Sequence, residues 1–128
     1  MRAESALAKK LLLKEKMQAC FINTPAGFWH DFGTLPKGVA LQSGGLDTCD
    51  WGLVFAKTEK ELLEHGPRVI NAVKPDGILW VAYPKKTSGE QTTLTRNDGW
   101  ELLKEAGGEV VGTAAIDDVW TSVRWKLG

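Results

Sequence analysis

Lys85 and Lys86 stand side by side, followed at once by Thr87, Ser88 and Gly89. Two ammonium groups beside two hydroxyls in a flexible segment suit the binding of a phosphate or a carboxylate. The segment is not a P-loop, because GxxxxGK[ST] is absent and no helix is expected to start there and lend its N–H groups. Paired lysines also solvate ordinary loops, and that alternative stays open. A second candidate is the run Asn23, Thr24, Pro25, Ala26 and Gly27, whose amide, hydroxyl and glycine suit hydrogen bonding to a polar ligand. Turn chemistry accounts for the same residue types. Trp120 and Arg124, four apart on one face of a predicted strand, could sandwich a ring through cation–π contact or simply cover the sheet.

The remaining polar residues point away from catalysis. His30 and His65 each neighbour a carboxylate, Asp31 and Glu64, but adjacent helical positions point in different directions, so neither pair reads as a dyad. No serine, cysteine or threonine sits in a GxSxG elbow. Asp117 and Asp118 could pair on a metal, yet a hairpin turn calls for the same short polar residues, and no metal site is expected. Cys20 and Cys49 lack CxxC spacing and read as buried free thiols.

These residues need elements to hold them. Ser5 can cap a helix over residues 6–13 that turns Leu7 and Leu11 inward. Residues 17–22 read as a strand, the Asn23 loop follows, and Phe28, Trp29 and Phe32 suit a short helix. Residues 39–41 form a brief strand and residues 49–56 a longer one. Thr58 and Glu61 make a capping box for the next helix, whose buried face would carry Leu62, Leu63, Val69, Ile70 and Val73. Gly66 and Pro67 are expected to break or kink it. Lys74, Pro75, Asp76 and Gly77 read as a turn into the apolar strand Ile78–Tyr83, which ends at Pro84 and the lysines. The Tyr83–Pro84 bond is a candidate for the cis form. Thr95 and Asp98 can cap a further helix carrying Trp100, Leu102 and Leu103. Residues 110–116 and 119–127 close the chain as a hairpin about Asp117 and Asp118.

Strands alternating with helices predict one Rossmann-like α/β domain over residues 1–128, in three layers, with a mainly parallel sheet of about six strands and an antiparallel hairpin at its end. A buried run such as Ile78–Tyr83 suits a central parallel strand, and ligands of open α/β sheets bind beyond the carboxyl ends of such strands. That placement is what singles out Lys85, Lys86, Thr87 and Ser88. Among six tryptophans, Trp51 and Trp80 fit core strands, whereas Trp29, Trp100, Trp120 and Trp125 are not all expected to be buried, since each indole N–H needs a partner. Some should line a pocket or an interface.

At 128 residues the chain has the size of one domain. Sixteen basic and sixteen acidic side chains cancel, so no global field draws it to nucleic acid or an anionic membrane. No apolar run approaches the roughly 20 residues of a membrane span, and no signal-peptide pattern opens the chain. The expectation is a soluble cytoplasmic protein.

The segments Ala8–Leu11, Asn23–Phe28, Gly77–Lys86, Leu94–Arg96 and Asp117–Arg124 resemble, over nearly the whole chain, an uncharacterised bacterial family, domain of unknown function number 3052. That resemblance brings no activity with it. More distantly, residues 50–56, the helix after them, residues 73–81 and the closing hairpin resemble the second half of the methyltransferase-like Rossmann fold, which implies strand order 2-1-3-4-6-5. A cofactor of that fold needs a glycine-rich first loop and an acid after the second strand. Here the first loop holds Gly27 alone, and Gln42 and Ser43 stand in the acid's place. The expected function is therefore a non-catalytic module binding a small anionic ligand or a protein partner through Asn23, Thr24, Gly27, Lys85, Lys86, Thr87, Ser88 and Trp120. Its alternatives are a divergent methyltransferase-like transferase and a homodimerising module that pairs exposed tryptophans and the final strand with a second copy. The cofactor is unknown.

Overall fold

A computed structural model of the protein describes residues 6–28, 32–42, 48–85, 94 and 100–127. Among the described residues, three helices, α1 (Ala6–Lys10), α2 (Glu59–Ala72) and α3 (Glu101–Glu105), accompany six strands. The strands are β1 (Gln18–Ile22), β2 (Ala40–Leu41), β3 (Cys49–Phe55), β4 (Val73–Pro84), β5 (Gly108–Ala115) and β6 (Trp120–Leu127). They form one mixed sheet in the order β2-β1-β3-β4-β6-β5. The pairs β2/β1, β1/β3 and β3/β4 are parallel, while β4/β6 and β6/β5 are antiparallel.

Side-chain alternation divides the core in two. On one face, Val54, Leu79, Val81, Tyr83, Val123 and Trp125 meet Leu62, Val69 and Ala72 of α2 and Leu103 of α3. On the other, Trp51, Leu53, Phe55, Trp80, Ala82 and Trp120 meet Ala8 and Leu11 together with Phe28 and Phe32. The period of two along β3 and β4 thus feeds two apolar layers, which is why both strands read as continuous hydrophobic runs. A Cβ on Gly52 would lie 2.6 Å from Val73 Cγ2 and 2.7 Å from Val69 Cγ2, so its bare backbone lets α2 lie close on the sheet.

Thr58 caps α2 as expected, its Oγ1 accepting from the Glu61 amide at 3.2 Å, while the Glu61 carboxylate accepts from the Asn23 side chain. The break expected at Gly66 and Pro67 does not occur, because α2 runs through Pro67. Burial of Leu62 on one side and Val69 on the other anchors both halves to the sheet. Pro67 lies on the wet side with Leu63, which is 55% exposed rather than buried, so water can serve the carbonyl that Pro67 leaves without a donor.

Lys74–Gly77 is likewise not a turn between elements. β4 begins at Val73, and its pairing with β3 jumps from Cys49↔Val73 to Trp51↔Ile78, so the four residues bulge within the strand. Lys74 Nζ then reaches Asp50 Oδ1 at 3.1 Å. No peptide bond among the described residues is cis, the Tyr83–Pro84 bond included. The final strand β6 is interior, between β4 and β5, so it offers no edge for a second copy; β2 and β5 are the edges. Trp100, Trp120 and Trp125 are all buried, while Trp29 lies outside the described residues. The Trp125 indole nitrogen is enclosed without a hydrogen-bond partner among the described residues. No described helix is long and apolar enough to cross a membrane.

Candidate functional site at the carboxyl edge

The parallel strands β1, β3 and β4 end at Ile22, Phe55 and Pro84, so Asn23, Ala56 and Lys85 open on the same edge of the sheet. Asn23 turns the chain with φ +58°, a left-handed conformation that asparagine tolerates better than most residues. Its Nδ2 donates to the Phe55 carbonyl at 2.8 Å and to Glu61 Oε1 at 3.1 Å. Both acceptors demand the amide nitrogen, so the carboxamide orientation is unambiguous and both of its N–H donors are engaged. What Asn23 retains for a ligand is the Oδ1 acceptor, which suits a donor and not an anion.

Thr24 is half-buried beside it, and the Phe28 amide closes the loop on the Pro25 carbonyl at 3.1 Å. Gly27 has φ +81°, and a Cβ there would meet nothing within 4 Å, so its backbone faces open space. On the other flank the Lys85 amide donates to the Val119 carbonyl at 2.6 Å, tying the end of β4 to the β5–β6 connection. Lys86, Thr87 and Ser88 lie outside the described residues, as do Trp29, His30, Asp31, Thr95 and Asp98.

Between these flanks lies a cavity of about 280 Å3. Pro25, Ala26, Phe28 and Phe32 form one wall, Ile116, Asp117, Val119 and Trp120 the other, and Leu7 of α1 closes the base. Trp120 is the one expected site residue in the lining, and it is held edge-on against Phe55 with ring centroids 5.0 Å apart. Phe55 in turn meets Phe28 at 5.0 Å, and Phe28 meets Phe32 at 5.2 Å, so the aromatic wall is one connected cluster. Rings braced edge to face in this way hold their positions better than isolated side chains.

Asp117 serves the turn, as its position between two strands implies. Its Oδ1 accepts from the Val119 amide at 2.8 Å and the Trp120 amide at 2.7 Å, which fixes the rim of the cavity. Among the described residues no group of three or more His, Cys, Asp or Glu could hold a metal ion. Cys20 and Cys49 are free and buried. Burial, and then the neighbouring Cys49, push the Cys20 thiol up to about 12, so it is a core group and not a nucleophile. His65, on α2, has Nε2 3.9 Å from Glu64 Oε2 and Nδ1 3.4 Å from Arg68 Nη1, a surface arrangement.

The sequence puts Asn23, Thr24, Gly27, Lys85 and Trp120 at one edge, whereas Leu7, Phe32 and Val119 enter the lining only through the fold. The four-residue spacing of Phe28 and Phe32 was the available signal, since it puts two rings on one side of a helical turn.

No family model matches the chain, and no curated protein matches it. Solved structures do. An S-adenosylmethionine-dependent methyltransferase from Aquifex aeolicus superposes with a TM-score of 0.55 at 18% identity, covering 97% of this chain and 90% of that one. A ribosomal protein L11 methylase from Lactobacillus delbrueckii subsp. bulgaricus gives 0.55 at 12% identity, over 94% and 74%. The PH0226 protein from Pyrococcus horikoshii OT3 gives 0.55 at 10% identity, over 95% and 86%. At these identities the likeness establishes the fold, a methyltransferase-like Rossmann arrangement with a parallel sheet closed by antiparallel C-terminal strands.

Proposed function

We propose that this chain is a divergent transferase of the methyltransferase-like fold that takes a small molecule into the cavity between Phe28 and Trp120. The observation that carries the reading is the cavity's place, beyond the carboxyl ends of β1 and β3, where open α/β sheets hold their ligands. Group transfer from an activated donor depends first on holding the reactants in line, so the lack of a nucleophile elbow or a dyad does not count against it. An adenosyl cofactor fits the residues only in part. The open backbone at Gly27 and the aromatic wall suit a nucleoside, but Gln42 stands where a ribose-binding acid belongs, and its amide donates to Gln18 Oε1.

That substitution favours a second reading, a non-catalytic module that binds an anionic ligand through Thr24, Gly27 and Lys85, with Lys86, Thr87 and Ser88 of the adjoining sequence. Calorimetric titration with S-adenosylmethionine and S-adenosylhomocysteine separates the two. Micromolar binding that weakens at least tenfold in Trp120→Ala supports the transferase. Absence of binding at millimolar concentration sinks it.

A further inference from the structure

The charge and the surface of the cavity fit a cation. Among the described residues that line it there is no lysine or arginine, and the only formal charge is the Asp117 carboxylate. Three aromatic side chains contribute to its lining, Phe28 and Phe32 on one wall and Trp120 on the other. Aromatic faces carry negative potential and attract an alkylated ammonium, which sheds its weak hydration at little cost and cannot be replaced by an anion there. Asp117 is presented to the rim by a fixed turn, because its Oδ1 takes two backbone N–H groups. A carboxylate has about four acceptor sites, so two such bonds leave capacity, and its charge, for a ligand. At about 280 Å3 the cavity sits just under the roughly 300 Å3 at which drug-sized pockets begin, which limits the ligand to a small one.

Resting on the reading that this cavity is the ligand site, we propose that it binds a small organic cation of the alkylated-ammonium class, with Asp117 supplying the counter-charge and Phe28, Phe32 and Trp120 the aromatic enclosure. An anion in this cavity would meet no lysine or arginine among the described lining residues.

The test is calorimetry with choline and with its neutral isostere 3,3-dimethylbutan-1-ol, on the wild-type chain and on Asp117→Asn. Asparagine keeps an Oδ1 for the Val119 and Trp120 amides, so the turn survives while the charge goes. The expected result is choline binding at least tenfold tighter than the isostere in the wild type, with that preference lost in Asp117→Asn and isostere binding unchanged. Equal or tighter binding of the isostere in the wild type, or a preference that survives Asp117→Asn, overturns the cation assignment and leaves the cavity as the ligand site. Failure of both probes to bind at 0.1 M overturns the proposal, while the reading of the cavity as a ligand site stands or falls by the S-adenosylmethionine titration.

Discussion

Trp51 and Trp80 donate their indole N–H groups to one acceptor, the Leu11 carbonyl oxygen, each at 2.8 Å. The two rings stand on neighbouring strands, β3 and β4, and their shared acceptor lies just past the end of α1. A carbonyl has two lone pairs, and here both are used inside a fully buried shell. The Leu11 carbonyl therefore adds a double hydrogen-bonded tie to the packing of Ala8, Leu11 and Leu13 against the sheet.

This geometry predicts a specific non-additivity. Trp51→Phe or Trp80→Phe alone leaves the Leu11 oxygen with one donor, so each should cost about 1–3 kcal/mol, mostly from lost volume and one hydrogen bond. The double variant leaves a buried carbonyl with none. Its cost should exceed the sum of the single costs by about 1 kcal/mol, read from urea midpoints in a double-mutant cycle. Simple additivity would mean that water or another donor reaches that oxygen.

Much of this architecture was legible in the chain because burial imposes a period. Leu79, Val81 and Tyr83 alternate with Trp80 and Ala82 between two core layers, and Thr58 with Glu61 announces a helix start through local hydrogen bonds alone. Local rules failed where distant packing overruled them. Pro67 does not break α2, since Leu62 and Val69 are both held by the sheet, and Lys74–Gly77 bulges within β4, where Lys74 pairs with Asp50 of β3. The cavity was hidden for the same reason. Phe28 and Trp120 are far apart in sequence, and only the sheet order brings the Asn23 loop against the Asp117 turn.

Asn23 gives a second prediction. Its amide bonds to Phe55 O and Glu61 Oε1 brace the loop that forms one cavity wall, at a backbone angle that penalises a Cβ. Asn23→Ala loses both bonds and keeps the strained φ, for a cost of about 1–3 kcal/mol. Asn23→Gly loses the same bonds but relieves the angle, and should be the more stable of the two by about 1 kcal/mol in thermal or urea unfolding. The reverse ranking would show that the left-handed turn is not maintained in solution.

Asp50 sets a third, in the acid limb of stability. The Gln18 amide, which donates to its Oδ2 at 2.9 Å, and then the Lys74 ammonium hold its carboxyl below the ordinary 3.8. A carboxyl whose pKa is lower in the folded state stabilises the fold above its unfolded value and loses that contribution as pH falls through the folded value. The Asp50 contribution is therefore whole at neutral pH and fades below about pH 3.8. The pair is partly exposed, so the effect is modest and screened by salt. Asp50→Asn should lower the neutral-pH melting temperature slightly and flatten the fall between pH 4 and 2. An acid limb as steep as the wild type would assign the loss to other carboxylates.

The last prediction concerns the sheet's free edge. β5 closes the sheet with eight residues, Gly108–Ala115, and its pairing with β6 slips between Val110 and Gly112, leaving Val111 as the extra residue of a bulge. Val110 and Val111 are 55% and 47% exposed. Within β5 the only charge is Glu109, and there is no lysine or proline of the kind that protects edges. The bulge twists the strand but also places two valines next to each other at the rim, so self-association at this end of the sheet should run along β5 and not β6, where Val123 and Trp125 are buried. Val111→Lys should leave stability within about 0.5 kcal/mol of the parent, since the side chain is already in water. Light scattering should show a lower apparent mass or a later onset of aggregation for that variant at high concentration. Unchanged scattering would show that the bulge alone suffices to blunt this edge.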